Sequence, residues 1–309
     1  MSDRDALLLQ RLSPAMTRVP DALRLAGPPP VAVDAPVPCV LYPGAEDGPV
    51  YLNFHGGAFI VRHPEQDDHA CRYLTEHAGA SVLNVDYSTA PQSRFPVAER
   101  EAYEVYRWAL RHHDPARIVV GGFSAGGKLA IAVCQRARDE GAPMPAALVA
   151  AYPLVDLDLD LDKGSGRVAP WLLRAMVGSY FAGVAVDDVA VSPVRDDRLG
   201  GFPPSLVLTG ERDVLGPSGE VFARRLSEAG VAVEHHCFPG TDHAFTHAEP
   251  VETALAALGM MASFVRSRGA RASSGRLLGP GASSGRLLGP GASPVGQSQA
   301  RTPANTSPS

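Results

Sequence analysis

Cysteine is scarce in these 309 residues: four, at Cys39, Cys71, Cys134 and Cys237, with no CxxC pair. Isolated cysteines make no zinc pattern, so no zinc site is expected. The chain starts MSDRDALLLQRL, two aspartates ahead of a short apolar run. That is the wrong charge for a secretory signal, so a cytoplasmic protein with reduced thiols is expected. Charged residues make up only 20% and aromatics 6%. No apolar run approaches the ~20 residues of a bilayer-spanning helix, so no stable membrane insertion is expected. The net charge is −5; six arginines follow Glu252 with no lysine or acid among them, which leaves residues 1–252 at −11. An acidic body of that kind is not built to bind nucleic acid.

What is present is a core. Hydrophobic residues are 45% of the chain, enough for one large domain. Apolar runs of strand length occur at Val50–Phe54, Ser81–Asp86, Ile118–Val120, Ala147–Ala151, Ser205–Thr209 and Val231–Phe238. Helix-like stretches lie between and after them: Asp67–Ala78, Pro96–His113, Ala125–Glu140, Pro217–Ala229 and Pro250–Arg266. Gly79, Gly141 and Gly230 stand where helices end. Strand and helix in alternation predict an α/β fold, a mostly parallel sheet with helices on both faces. Sites in such sheets form at the carboxyl ends of the strands.

Three regions depart from the alternation. The first thirty residues read as a short helix followed by a Pro-rich extended arm. Residues 155–204 separate two strands by far more than an ordinary connection, which makes them a lid above the strand ends. Their aspartates, Asp156, Asp158, Asp160 and Asp162, lack the glycine and ligand spacing of a calcium loop and read as a solvated acidic turn. Residues 269–309 contain ASSGRLLGPG twice, at 272–281 and 282–291. Their Gly/Ser/Pro composition cannot offset the entropy of ordering, so a disordered low-complexity tail is expected. The α/β domain then spans 1–268.

The chemistry concentrates at Gly122-Phe123-Ser124-Ala125-Gly126-Gly127. A strand precedes it and a helix comes after it, the setting of a nucleophile elbow. A glycine turn with an incidental serine is the bland alternative, and the strand–turn–helix context weighs against it. A serine needs a base. His243, in FPGTDHAF after the last strand, can reach back over the elbow. His112 and His113 end a helix, and His235 and His236 alternate along a strand. His63, His69 and His77 have no evident route to the strand ends. His247, without an HExxH motif, reads as a surface residue. The base needs an acid. Asp213, in GERDVL after the strand at 205–209, stands in the order Ser…Asp…His; Asp156 is the second choice. Developing negative charge on a substrate needs donors. The turn Gly56-Gly57-Ala58, with the amide of Ala125, supplies the candidates.

These blocks together resemble the hormone-sensitive-lipase-like branch of the α/β-hydrolases. HGGAF, VDYSTAPQSRFP, GFSAGGKLA, GFPPSLVLTGERDVL and GVAVEHHCFPGTDHAF match its motifs in sequence order, over about residues 48–266. The resemblance implies an α/β-hydrolase fold with a cap made from the N-terminal arm (about 1–47) and the insertion at 155–204. It implies a serine carboxylesterase acting on small acyl esters without a cofactor. Ser124, Asp213 and His243 take the catalytic positions, and Gly56, Gly57, Ala58 and Ala125 the oxyanion hole. A deacetylase, lactonase or amidase on the same triad stays open, as does a homodimer. A binding protein without chemistry ranks lower, because serine and histidine are both retained. Phe123, Gln92 and Lys128 depart from the family pattern, where aspartate, glutamate and asparagine are usual.

Overall fold

A computed structural model describes residues 3–164 and 166–269. Among them are eight strands: β1 (Val31–Val33), β2 (Cys39–Tyr42), β3 (Val50–Phe54), β4 (Ser81–Val85), β5 (Ile118–Phe123), β6 (Ala147–Ala151), β7 (Ser205–Gly210) and β8 (Val233–Phe238). They form one sheet in the order β1-β2-β4-β3-β5-β6-β7-β8. β3 to β8 are mutually parallel, while β1 and β2 run antiparallel at the edge. Every residue of β3, β5, β6 and β7 is buried. That is why these segments read as continuous apolar runs and not as alternating ones: helices cover both faces.

The edge pair was not among the six strands expected. β1 is three residues long and mostly exposed. No periodicity develops over so short a run, and the pair exists through its register with β4, where Cys39 faces Val85. The other six strands lie where the apolar runs placed them, with ends shifted by up to three residues.

Seven α-helices accompany the sheet: α1 (Asp3–Met16), α2 (Asp68–Ala78), α3 (Val97–His112), α4 (Ala125–Asp139), α5 (Pro170–Ala175), α6 (Gly216–Glu228) and α7 (Val251–Gly269). α3, α4 and α6 enclose one core with the sheet, and α2 and α7 enclose the other. α7 shows that helical order extends to Gly269; the rest of the expected tail, including the ten-residue repeat, lies outside the described residues. No helix among those described is long and apolar enough to cross a membrane.

Residues 155–204 carry α5 and, straight after it, a π-type turn at Met176–Tyr180. The acidic run at its start is engaged by cations. Asp156 and Asp158 face Arg195 at 3.3 and 3.0 Å, Asp160 faces Lys163 at 3.2 Å, and Asp162 pairs with Arg174.

Lys128 explains one departure from the family pattern. It sits in the first turn of α4 and is 1% exposed. Its Nζ donates to Glu99 Oε1 at 2.9 Å and to the carbonyl of Ala190 at 2.8 Å. The rings of Phe95, Phe181 and Phe59 stand 5.6, 5.7 and 5.9 Å from that nitrogen. Glu99 also accepts from the Tyr180 hydroxyl at 2.5 Å. One buried ion pair thus ties α3 and α4 to the insertion. Removing one partner strands a buried charge, so Lys128→Met is expected to cost about 3–5 kcal/mol in urea unfolding. Adding Glu99→Gln to that variant should restore part of the loss.

Candidate active site

β5 delivers Ser124 at the carboxyl edge of the sheet. The register sets Phe54 beside Gly122 and Phe123 beside Ala151, so β3, β5 and β6 end together. Ser124 has φ +55° and ψ −114°, a conformation side chains adopt only when the surroundings force it. The crowding is visible at its flanking glycines. A Cβ on Gly122 or on Gly126 would run into the carbonyl oxygen of Phe54. The turn therefore closes only with glycine at both places. It projects the serine side chain off the sheet at the N-terminus of α4, where the helix dipole favours negative charge.

His243 Nε2 lies 2.9 Å from Ser124 Oγ, and its Nδ1 lies 2.7 Å from Asp213 Oδ2. The other carboxylate oxygen of Asp213 accepts from the amide of Leu215 at 2.9 Å. With an acceptor-only carboxylate at Nδ1, that nitrogen carries the proton and Nε2 is left to accept from the serine hydroxyl. Asp213 is 2% and His243 7% exposed. The three residues picked out in sequence meet in one chain of hydrogen bonds. Asp156 does not reach it: its carboxylate faces Arg195.

The turn after β3 is held by its carbonyls. His55 Nδ1 at 2.6 Å and Gln66 Nε2 at 2.9 Å both donate to the oxygen of Gly56. The amides of Ile60 and Val61 donate to the oxygen of Gly57, each at 2.9 Å. In a planar trans peptide the N–H points opposite to the carbonyl. Holding those two oxygens inward therefore turns the amides of Gly57 and Ala58 the other way. Neither amide has an acceptor among the described residues. Gly57, at φ +127°, is required here too, since a Cβ would stand 2.7 Å from the carbonyl of Val61. Burial lowers the pKa of His55, and its ring stacks on Tyr87 at 4.2 Å. A neutral His55 with its proton on Nδ1 fits the bond to Gly56.

Ser124, Ala125, His243 and the Gly56–Ala58 turn all line one cavity of about 400 Å³. Its remaining wall is largely apolar: Leu9 from α1, Leu154, Val168, Leu172, Met176 and Leu215 among others. Phe123, where the family usually has aspartate, lines it as well.

His247 corrects a sequence expectation. It is not a surface residue: it is 7% exposed and lines the cavity. Its Nε2 lies 2.8 Å from Asp67 Oδ1, and its Nδ1 2.8 Å from Thr246 Oγ1. Its ring stands edge-on to Phe123 at 4.9 Å and to His69 at 4.6 Å. His69 also reaches this side of the sheet, with Nε2 2.9 Å from the carbonyl of Thr246. Asp67, His69 and His247 are residues that sequence reasoning missed. A usable signal existed: a helix that comes after the strand-end turn at 56–58 begins at the carboxyl edge of the sheet, so its first residues belong near the site.

Burial lowers the pKa of His69 to about 4 and depresses those of His247 and His55, while raising that of Asp67. These shifts set a pH dependence. A histidine whose folded pKa is below its unfolded ~6.5 contributes nothing above pH ~6.5; below it the unfolded chain takes up protons that the fold excludes. Stability is lost as pH falls from ~6.5 towards the folded value. Asp67 works in the opposite direction and offsets about one of the three histidines. Unfolding stability is therefore expected to drop by about 2 kcal/mol or more between pH 7 and 5. Urea midpoints at the two pH values measure it, and an unchanged midpoint would mean that these rings are charged in the fold.

Comparison with known proteins agrees with this architecture. A family model described as the alpha/beta hydrolase fold matches residues 51–247. An acetyl-hydrolase of Streptomyces hygroscopicus is 32% identical over 233 residues, covering 73% of this chain and 78% of the relative. An ethyl acetate hydrolase of Pseudomonas putida is 33% identical over 226 residues, covering 68% and 71%. The solved structure of a hormone-sensitive lipase from a metagenome library superposes with a TM-score of 0.74 at 28% identity, over 87% of this chain and 98% of that one. This chain belongs to the α/β-hydrolase family, in its hormone-sensitive-lipase-like branch.

Proposed function

We propose that this protein is a serine carboxylic ester hydrolase that cleaves small acyl esters through an acyl-enzyme. The observation that carries the reading is the unbroken chain Asp213–His243–Ser124 opening onto an apolar cavity. His243 Nε2 takes the hydroxyl proton as Ser124 Oγ attacks the acyl carbon. The amides of Gly57, Ala58 and Ala125, in the turn begun by Gly56 and at the start of α4, donate to the oxyanion. The tetrahedral intermediate collapses, and His243 returns the proton to the departing alcohol. Water then attacks the acyl-enzyme by the same route and releases the acid. Asp213 holds the imidazole in its tautomer and stabilises its cationic form.

Relatives that hydrolyse acetyl groups and ethyl acetate support a small acyl or alkyl part. α1 and residues 155–204 act as the cap: both send side chains, Leu9 and Met176 among them, into the cavity. Cytoplasmic residence is supported by four unpaired thiols, three of them buried. A series of nitrophenyl esters of rising acyl length, with Ser124→Ala as control, tests the reading. Turnover of short esters that the control lacks is expected; no turnover at any length would refute it.

A further inference from the structure

Arg167 stands out on the cavity wall. It is the only arginine or lysine among the described residues lining the cavity. The one carboxylate among those residues, Asp67, is committed to His247 and to the side-chain amide of Asn53 at 2.8 Å. The neighbouring arginines of the same insertion are also committed: Arg174 to Asp162, and Arg195 to Asp156 and Asp158. Arg167 has neither a hydrogen bond nor an ion pair among the described residues.

Its position is set by the catalytic loop. Gly166, at φ +45°, packs so closely on Asp242 that a Cβ would overlap that carboxylate. Asp242 in turn accepts from the amide of His243 at 2.7 Å. On the other side Val168 is buried in the cavity wall. The turn bearing Arg167 is thus pinned between the residue before the proposed base and the apolar lining. The charge is felt inside, at two residues of the cavity wall. At His247 it adds to burial in lowering the pKa, and at Tyr152 it opposes the rise that burial causes.

A guanidinium fork matches a carboxylate with two parallel hydrogen bonds. Arg167 is exposed at the cavity, so solvent and salt weaken that attraction, and the match of fork to carboxylate carries the selectivity. The rest of the surface works against anions, because residues 1–252 carry −11. A lone cation at the cavity is then the feature that admits one. A neutral ester leaves it unmatched.

We propose that Arg167 selects esters that carry a second, ionised carboxylate, such as half-esters of short dicarboxylic acids, and binds that carboxylate while Ser124 attacks the ester. The proposal rests on the esterase reading above and names its substrate class.

The test compares monoethyl adipate with ethyl hexanoate, the same chain with and without the charge, in a pH-stat at neutral pH. Wild type, Arg167→Gln, Arg167→Lys and Ser124→Ala are measured with both esters. The ratio of kcat/KM for the charged ester over the neutral one is expected to fall about tenfold or more in Arg167→Gln, carried mainly by KM, with part of it kept in Arg167→Lys. Added salt should narrow the wild-type preference. An equal ratio in wild type and Arg167→Gln overturns the role of Arg167 and leaves the esterase intact. If wild type turns over neither ester beyond the Ser124→Ala background, the substrate class assigned to Arg167 is overturned; the nitrophenyl ester series run on the same preparation then shows whether the esterase reading fails with it.

Discussion

Ser124→Ala is expected to lose ester hydrolysis by on the order of 10⁴-fold or more in kcat, with an unchanged melting temperature. The substitution removes only the oxygen that His243 Nε2 contacts at 2.9 Å. The strained backbone at φ +55° is imposed by Phe54, Gly122 and Gly126 and does not depend on the hydroxyl. His243→Ala should lose about as much, and the double variant little more than either. Base and nucleophile act on one proton, so removing both costs what removing one does. Turnover of p-nitrophenyl butyrate, alongside thermal melts, measures this. Near-wild-type activity in Ser124→Ala would move the chemistry elsewhere.

The second large effect is expected at Asp213. Asp213→Asn should lower kcat by on the order of 10²–10⁴ while the fold persists. The two oxygens of Asp213 each face a donor, His243 Nδ1 at 2.7 Å and the Leu215 amide at 2.9 Å. An asparagine has one oxygen, so its NH₂ must meet one of those N–H groups or drive the imidazole proton onto Nε2. Either outcome spoils the acceptor that Ser124 needs. Asp156→Asn should be nearly silent in the same assay, because Asp156 meets Arg195 at 3.3 Å at a partly exposed site. If Asp156→Asn is the damaging change, the acid has been assigned wrongly.

The elements that sequence located are those whose cause is local. The stretch 118–139 declares itself through an apolar run, a Gly-x-Ser-x-Gly turn and a helix, because each depends on neighbours in the chain. The order Ser124, Asp213, His243 was readable for a related reason: each sits just past a parallel strand, and parallel strands deliver the loops at their carboxyl ends to one edge. The same logic placed the Gly56–Ala58 turn. It would have placed Asp67 and His69 as well, had the helix start after that turn been traced to the same edge.

What tertiary structure decided is the state of the polar residues between those landmarks. Nothing near His247 in sequence says that it is buried; its partner Asp67 is 180 positions away. In sequence Lys128 is only a departure from the family pattern; its burial is decided when α3 supplies Glu99 and the insertion supplies Ala190 and Phe181. β1 exists because β2 pairs with β4 and leaves an edge for it. Arg167 becomes a candidate for recognition only once Gly166 has been packed onto Asp242. Dihedral preference and hydrophobic period act over a few residues and survive in the sequence. The free energy of a buried charge depends on which distant group shares its desolvated site, and that is settled only when the elements meet.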